Sequence, residues 1–330
     1  MKKMLFAATI AAAALAGCSK DTVNEAQPKA MSFETYVAKA VRSTPVTGIQ
    51  FADGSKIGVF AYNTDANAWN AANIGTYAAY MTNVELTKAS GAWTYSPVKY
   101  WVAGKKYTFF GYAPYDASAT VANGVLSFTV PTTIADQKDL MYAAPLTDKS
   151  WNGVTESVPA VTFAFHHALS QVKFSLKTAI DYSELYTITL KSITVKDVSS
   201  VGSLSLLDGS WSALGTPASY AAVVNDALVL NHSAYQATQK VTDVLMLLPQ
   251  TLTNTKVEIV LTVAANAGGD ASKNGDQTVT ATIASGQWEA NKIYNYQVSL
   301  DLNTILGLKE MVFGDPTIED WPASATDVQP

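Results

Sequence analysis

Beyond residue 29 the large apolar side chains recur mostly at every second position, the period of a strand with one buried face. Val257, Ile259, Leu261 and Val263 alternate with Glu258 and Thr262, and Val279, Ala281 and Ile283 alternate with threonines. Between these runs lies 268–276, GGDASKNGD, whose turn-forming residues predict a hairpin loop. Tyr294, Tyr296, Val298, Leu300 and Leu302 form another alternating set, as do Val172, Phe174 and Leu176. The set Tyr186, Ile188 and Leu190 passes to Ile193 and Val195, a phase slip that predicts a bulge near Lys191 and Ser192. Shorter strands are predicted at 56–62, 107–112, 126–130, 140–143, 158–165, 222–230 and 241–248. No long segment of 3.6-residue period follows the amino-terminal apolar stretch. The chain reads as all-β.

The polar stretch 148–157 is the expected domain boundary, dividing the chain into an amino-terminal β-sandwich over 43–155 and a carboxy-terminal one over 156–330. A short echo between ASGAW at 89–93 and ASGQW at 284–288 points to duplication, each copy read as a turn entering a strand.

Composition narrows the function classes. Of the 330 residues 48% are hydrophobic and 10% aromatic, while only 15% are charged, which excludes a disordered chain. A formal net charge of -5 offers no electrostatic footprint for nucleic acid. The cations are 21 lysines and a single arginine, Arg42. No cluster of guanidinium forks is therefore available to clamp phosphates or carboxylates.

Lys2 and Lys3, followed by an apolar stretch over 4–16, read as a secretory signal. The stretch is too short to span a bilayer core of about 30 Å as a helix. It ends in Leu15, Ala16, Gly17 and Cys18, the chain's only cysteine. This resembles a bacterial lipobox, in which the cysteine becomes the lipid-bearing first residue after cleavage. The alternative is a plain signal peptide with an incidental cysteine. With Cys18 acylated, no thiol remains for a disulfide, a metal or a nucleophile. Each buried acyl CH2 contributes about 0.8 kcal/mol, so firm anchoring takes more than one acyl chain. Ser19 after the cysteine resembles lipoproteins sorted to the outer membrane. Residues 1–17 are thus the expected signal peptide and 18–42 a tether with a first strand.

Catalytic chemistry is not evident. His166 and His167 are neighbours on a predicted strand and point to opposite faces, so they do not readily share a metal. No zinc-protease motif, nucleophile elbow or phosphate-cradling glycine loop is present. The aspartates of 268–276 miss the spacing of the familiar calcium loop and read as a solvated hairpin. The expectation is no enzyme, no metal and no cofactor. Tyr95, Tyr100, Trp101, Tyr107, Phe109, Phe110, Tyr112 and Tyr115 form an aromatic cluster. It is either sandwich core or a platform on which a glycan stacks.

Several segments, taken in order, resemble fimbrillin-family proteins, the type V pilins of Gram-negative bacteria. They are FADGSKIGVFAY at 51–62, WTYSPVKYW at 93–101, YTFFGYAPY at 107–115, DLMYA at 139–143, FHHALSQVKF at 165–174, LLPQT at 247–251 and GQWEANKIYNY at 286–296. The resemblance runs from the lipobox to about Trp321. It implies two tandem transthyretin-like Greek-key β-sandwich domains and an acylated precursor. It also implies maturation by an arginine-specific protease at the cell surface, which removes a first strand. A strand from a neighbouring pilin subunit then fills the vacated groove.

The residues ahead of Arg42 suit that scheme. Met31, Phe33, Thr35, Val37 and Val41 make one mostly apolar strand face, interrupted by Lys39. Arg42 follows, then Ser43, Thr44 and Pro45, an accessible break. Cleavage between Arg42 and Ser43 releases the lipid-bearing piece, and a protease of this specificity has no second site. The other reading of Arg42 is an incidental surface residue. The donor segment is expected within 305–321, with Leu306, Leu308 and Val312 on one face. If that segment is held in the chain's own sheet, too little is left to donate, which favours a tip position, or a lipid-retained anchor if Arg42 is not cut. The expectation is a pilus subunit, first an outer-membrane lipoprotein and then part of a surface fimbrium supporting adhesion. The alternative is a permanently anchored or tip lipoprotein that binds glycans or host ligands, with Trp93 or Trp101 exposed.

Overall fold

The computed structural model describes residues 28–38, 50–154, 157–222, 228–237 and 244–321. In the first part lie β1 (Phe33–Val37), β2 (Lys56–Asp65), β3 (Ala78–Ala89), β4 (Ala92–Thr94), β5 (Lys106–Ala113), β6 (Val121–Ala122), β7 (Val125–Thr129), β8 (Met141–Ser150) and β9 (Val161–His167). There follow β10 (Ser170–Thr178), β11 (Tyr186–Ser205), β12 (Trp211–Ala222), β13 (Leu228–Val229), β14 (Gln236–Ala237) and β15 (Leu245–Leu247). The last elements are β16 (Gln250–Ala265), β17 (Gly275–Trp288), β18 (Lys292–Leu300), the one-turn helix α1 (Leu302–Ile305), β19 (Met311–Val312) and β20 (Thr317–Asp320).

Three sheets result. A seven-stranded sheet has the order β1-β9-β8-β5-β2-β3-β4. A five-stranded sheet runs β14-β10-β18-β20, with β15 also on β10, and an eight-stranded sheet runs β19-β17-β16-β11-β7-β6, with β12 and β13 also on β11. The predicted bulge is present, as a register shift between Leu190 and Ser192 of β11 where it pairs with β16.

The seven-stranded sheet is covered on both faces at its centre. Ile57, Val59 and Ala61 of β2, with Tyr107 and Phe109 of β5, enter one core. Phe60, Phe110 and Tyr112 of the same strands enter a second core, shared with residues of β10, β11, β16 and β18. A strand buried on both faces needs no polar alternation, so β2 and β5 read as near-continuous apolar runs. Gly58 fits this crowding, because a Cβ there would lie 2.3 Å from the Tyr112 ring.

Residues 148–157, expected as a domain boundary, join two strands of one sheet: β8 reaches Ser150, and β9 returns between β8 and β1. The chain passes to the five-stranded sheet between β9 and β10. The hairpin β6–β7 crosses the other way and pairs with β11. Of the strand expected over 222–230, Ala222 lies in β12 and Leu228–Val229 form β13, while 223–227 lie outside the described residues. Leu302 opens a helix instead of extending β18, because Asp301 Oδ1 accepts from Thr304 N at 2.7 Å and caps the turn. ASGQW at 284–288 lies within the end of β17, whereas ASGAW at 89–93 is the turn into β4.

Candidate functional site

β1 lies at one edge of the seven-stranded sheet and pairs only with β9 there, in parallel, with Phe33 opposite Val161 and Val37 opposite Phe165. Its alternation is complete: Phe33, Thr35 and Val37 are buried, Glu34 is exposed and Tyr36 half-buried. Met31, just before the strand, is buried too. Phe33 meets Tyr95 edge-on with centroids 5.4 Å apart, meets Phe109 likewise at 5.9 Å, and stacks on Phe163 at 6.1 Å.

Backbone bonds fix the two ends of this strand. Ala38 N donates to Phe165 O at 2.8 Å, and Val161 N donates to Ser32 O at 3.2 Å. On the other side, Met31 N donates to Lys99 O at 2.8 Å and Trp101 N to Lys29 O at 2.9 Å. The Tyr95 hydroxyl donates to Met31 O at 3.0 Å. Burial holds that phenol above its ordinary pKa, so it stays a donor. Trp93, on the opposite edge strand β4, donates from Nε1 to Thr35 Oγ1 at 3.0 Å, with both side chains buried. The first and last strands of the sheet thus meet, and β1 closes the core between them.

Such a segment can act as a plug. It is short, lies at an edge and precedes the other described strands, yet it carries three large side chains of the core. Removing Met31, Phe33 and Val37 from apolar surroundings forfeits about 1.5–3 kcal/mol for each. It also leaves backbone groups of β9 and the Trp93 indole N–H without partners.

Met31, Phe33, Thr35 and Val37 thus come together in one core, while Val41, Arg42, Ser43 and Cys18 lie outside the described residues. The expected donor face does not form one strand: of its three residues only Val312 lies in a strand, β19. Leu306 follows α1, Gly307 takes a left-handed φ of 69°, and Leu308 and Val312 are exposed. β19 pairs with β17 and β20 with β18, so much of 305–321 is occupied within the chain's own sheets.

The aromatic cluster is mainly core. Trp93 and Trp101 retain 9% and 2% of their exposure, which removes the flat platform that stacking on a glycan requires. Asp270 accepts from Ser272 N, and Asp276 accepts from Lys191 Nζ and Thr262 Oγ1, so these loop carboxylates already serve local structure. Among the described residues no cluster of three or more His, Cys, Asp or Glu is placed to hold a metal ion.

Sequence reading missed two arrangements. One is the Trp93–Thr35 bond, since nothing in spacing links residues so far apart. The other is buried His167, whose Nδ1 lies 2.7 Å from Asp139 Oδ2. Burial, and secondarily the neighbouring His167, lowers the pKa of His166 on the opposite face.

The fimbrillin-like family profile matches residues 44–321. The fimbrium subunit Fim1C of Phocaeicola vulgatus is 32% identical over 111 residues, which are 32% of this chain and only 29% of that relative. A solved fimbrial protein from Bacteroides vulgatus superposes with a TM-score of 0.69 at 18% identity, over 89% of this chain and 99% of that one. The match over most of the length, with the shared fold, assigns the chain to the fimbrillin-like family.

Proposed function

We propose that this protein is a subunit of a cell-surface pilus, exported as a precursor acylated on Cys18 and cut between Arg42 and Ser43 by an arginine-specific protease. The cut frees β1, and a strand of a neighbouring subunit takes its place. The carrying observation is the position of β1, a buried plug at a sheet edge, the first strand among the described residues and closely followed by the chain's one arginine. The family match adds support, because it begins at Thr44, just past that arginine. The chain is read as two tandem transthyretin-like Greek-key sandwiches.

The self-paired β19 and β20 favour a chain that receives a strand and gives none from 305–321. A head-to-tail filament ends at such a subunit, so a tip position suits the cut chain, whereas a lipid-retained anchor position requires that Arg42 stay uncut. Its path runs from outer-membrane lipoprotein to surface fimbrium, in a role supporting adhesion.

The test is the first residue of protein recovered from the cell surface. The wild type should begin at Ser43, and Arg42→Ala should remain full-length, lipidated and unassembled. Normal incorporation of Arg42→Ala into filaments overturns the proposal.

A further inference from the structure

We infer that the β1 slot reads its occupant by chemistry as well as by shape, and that Trp93 is the residue that reads it. The inference rests on the exchange of β1 proposed above.

Four inward positions of the resident strand define the slot: a long apolar side chain (Met31), an aromatic ring (Phe33), a small hydroxyl (Thr35) and a β-branched aliphatic (Val37). Three of these are matters of volume. The third is not, because the indole N–H of Trp93 points at Thr35 Oγ1 from 3.0 Å inside a buried core. A strand with valine at that place fills the same space and strands the N–H without a partner. A buried donor left unmade costs more than a made one gains, so a polar site rejects the apolar isostere more strongly than an apolar site rejects a polar one. The slot therefore selects a strand with a hydrogen-bond acceptor two residues after its aromatic anchor.

Backbone direction adds a second criterion. Ser32 O and Ala38 N face β9, so in a parallel ladder the even-numbered residues of β1 carry the bonding groups, Tyr36 among them. Position 36 thus requires an N–H. The chain's own 311–317 repeats the first two anchors, with Met311 and Phe313, but brings Pro316 to that place and loses the bond. The partner that fits is a strand of a different subunit, running parallel to β9 and carrying long-apolar, aromatic, acceptor and β-branched residues at alternate positions.

The experiment starts from the full chain cut at Arg42 by an arginine-specific protease. Synthetic peptides of residues 28–38 then compete with the retained amino-terminal segment. The wild-type and Thr35→Ser peptides should displace it, and Thr35→Val should be about ten- to thirtyfold weaker. Trp93→Phe in the protein should abolish the difference between threonine and valine. Equal potency of Thr35→Val, or discrimination that survives Trp93→Phe, overturns the inference. A peptide of residues 309–319 should not compete, and potency equal to the wild-type peptide overturns the exclusion of the chain's own segment. If even the wild-type peptide displaces nothing, the exchange reading fails by itself. The selection by Trp93 is then decided in the uncut chain by a double-mutant cycle of Thr35→Val and Trp93→Phe. Coupling of about tenfold in the unfolding constant supports it, and additivity overturns it.

Discussion

The imidazole of His167 lies flat on the indole of Trp321, with centroids 4.3 Å apart and planes 6° from parallel. His167 ends β9, the strand that carries β1, whereas Trp321 follows β20. The contact therefore ties the strand beside the plug to the end of the described chain. Asp139 orients the ring through Nδ1, and Trp321 N donates to Asn291 O at 3.1 Å. The Lys292–Asp320 ion pair adds an exposed bond across β18 and β20, of small worth by itself.

Trp321→Ala should lower stability by about 3–5 kcal/mol, as for large buried aromatics in general. The loss is read from the urea midpoint of the purified chain. Trp321→Phe, which keeps a flat ring against His167, should lose clearly less. A near-neutral Trp321→Ala would show that 317–321 is loosely held, and would reopen that segment as a donor.

Alternation along β1 gives a sharper contrast. Phe33→Ala should cost about 3–5 kcal/mol, whereas Glu34→Ala, one residue on and exposed, should stay within about 0.5 kcal/mol. Thermal unfolding of the uncut chain measures both. Similar effects at the two positions would mean that β1 is not seated as described.

This alternation was legible in the sequence because β1 has one wet face. The same rule located β16, β17 and β18. It was less informative for β2 and β5, where both faces are dry, and the polar stretch 148–157 joins two neighbouring strands of one sheet. The one-turn helix at Leu302 depends on a local cap that outweighs the preceding alternation. The partners of Thr35 and His167 come from sequence-distant residues, and only the folded chain brings them together.

The buried phenols predict the alkaline limit of stability. Burial pushes Tyr107, Tyr112, Tyr220 and Tyr296 up to about 12. A phenol is neutral when protonated, and the fold binds that proton more tightly than the unfolded chain, whose value is about 10. The contribution to stability is therefore complete below about pH 10 and is lost as the pH rises through about 12. Titration of phenolate absorbance should show these groups ionising together with loss of ellipticity. Their ionisation near pH 10 in a still folded chain would contradict the burial.

Gly58→Ala should destabilise the junction of the two cores by about 1–3 kcal/mol, the usual cost of overpacking. The added methyl would sit 2.3 Å from Cε1 of Tyr112 and 2.7 Å from Asn83 Oδ1. Neither neighbour yields easily. The Tyr112 hydroxyl donates to Asn83 Oδ1 at 2.8 Å and accepts from Asp116 N at 3.1 Å, and the ring packs in the second core. Replacing the ring by a shorter side chain removes the collision, so Gly58→Ala should cost much less in a Tyr112→Leu background than in the wild type. Urea denaturation of the two single variants and the double variant measures this coupling, and strict additivity would show that the ring moves aside freely.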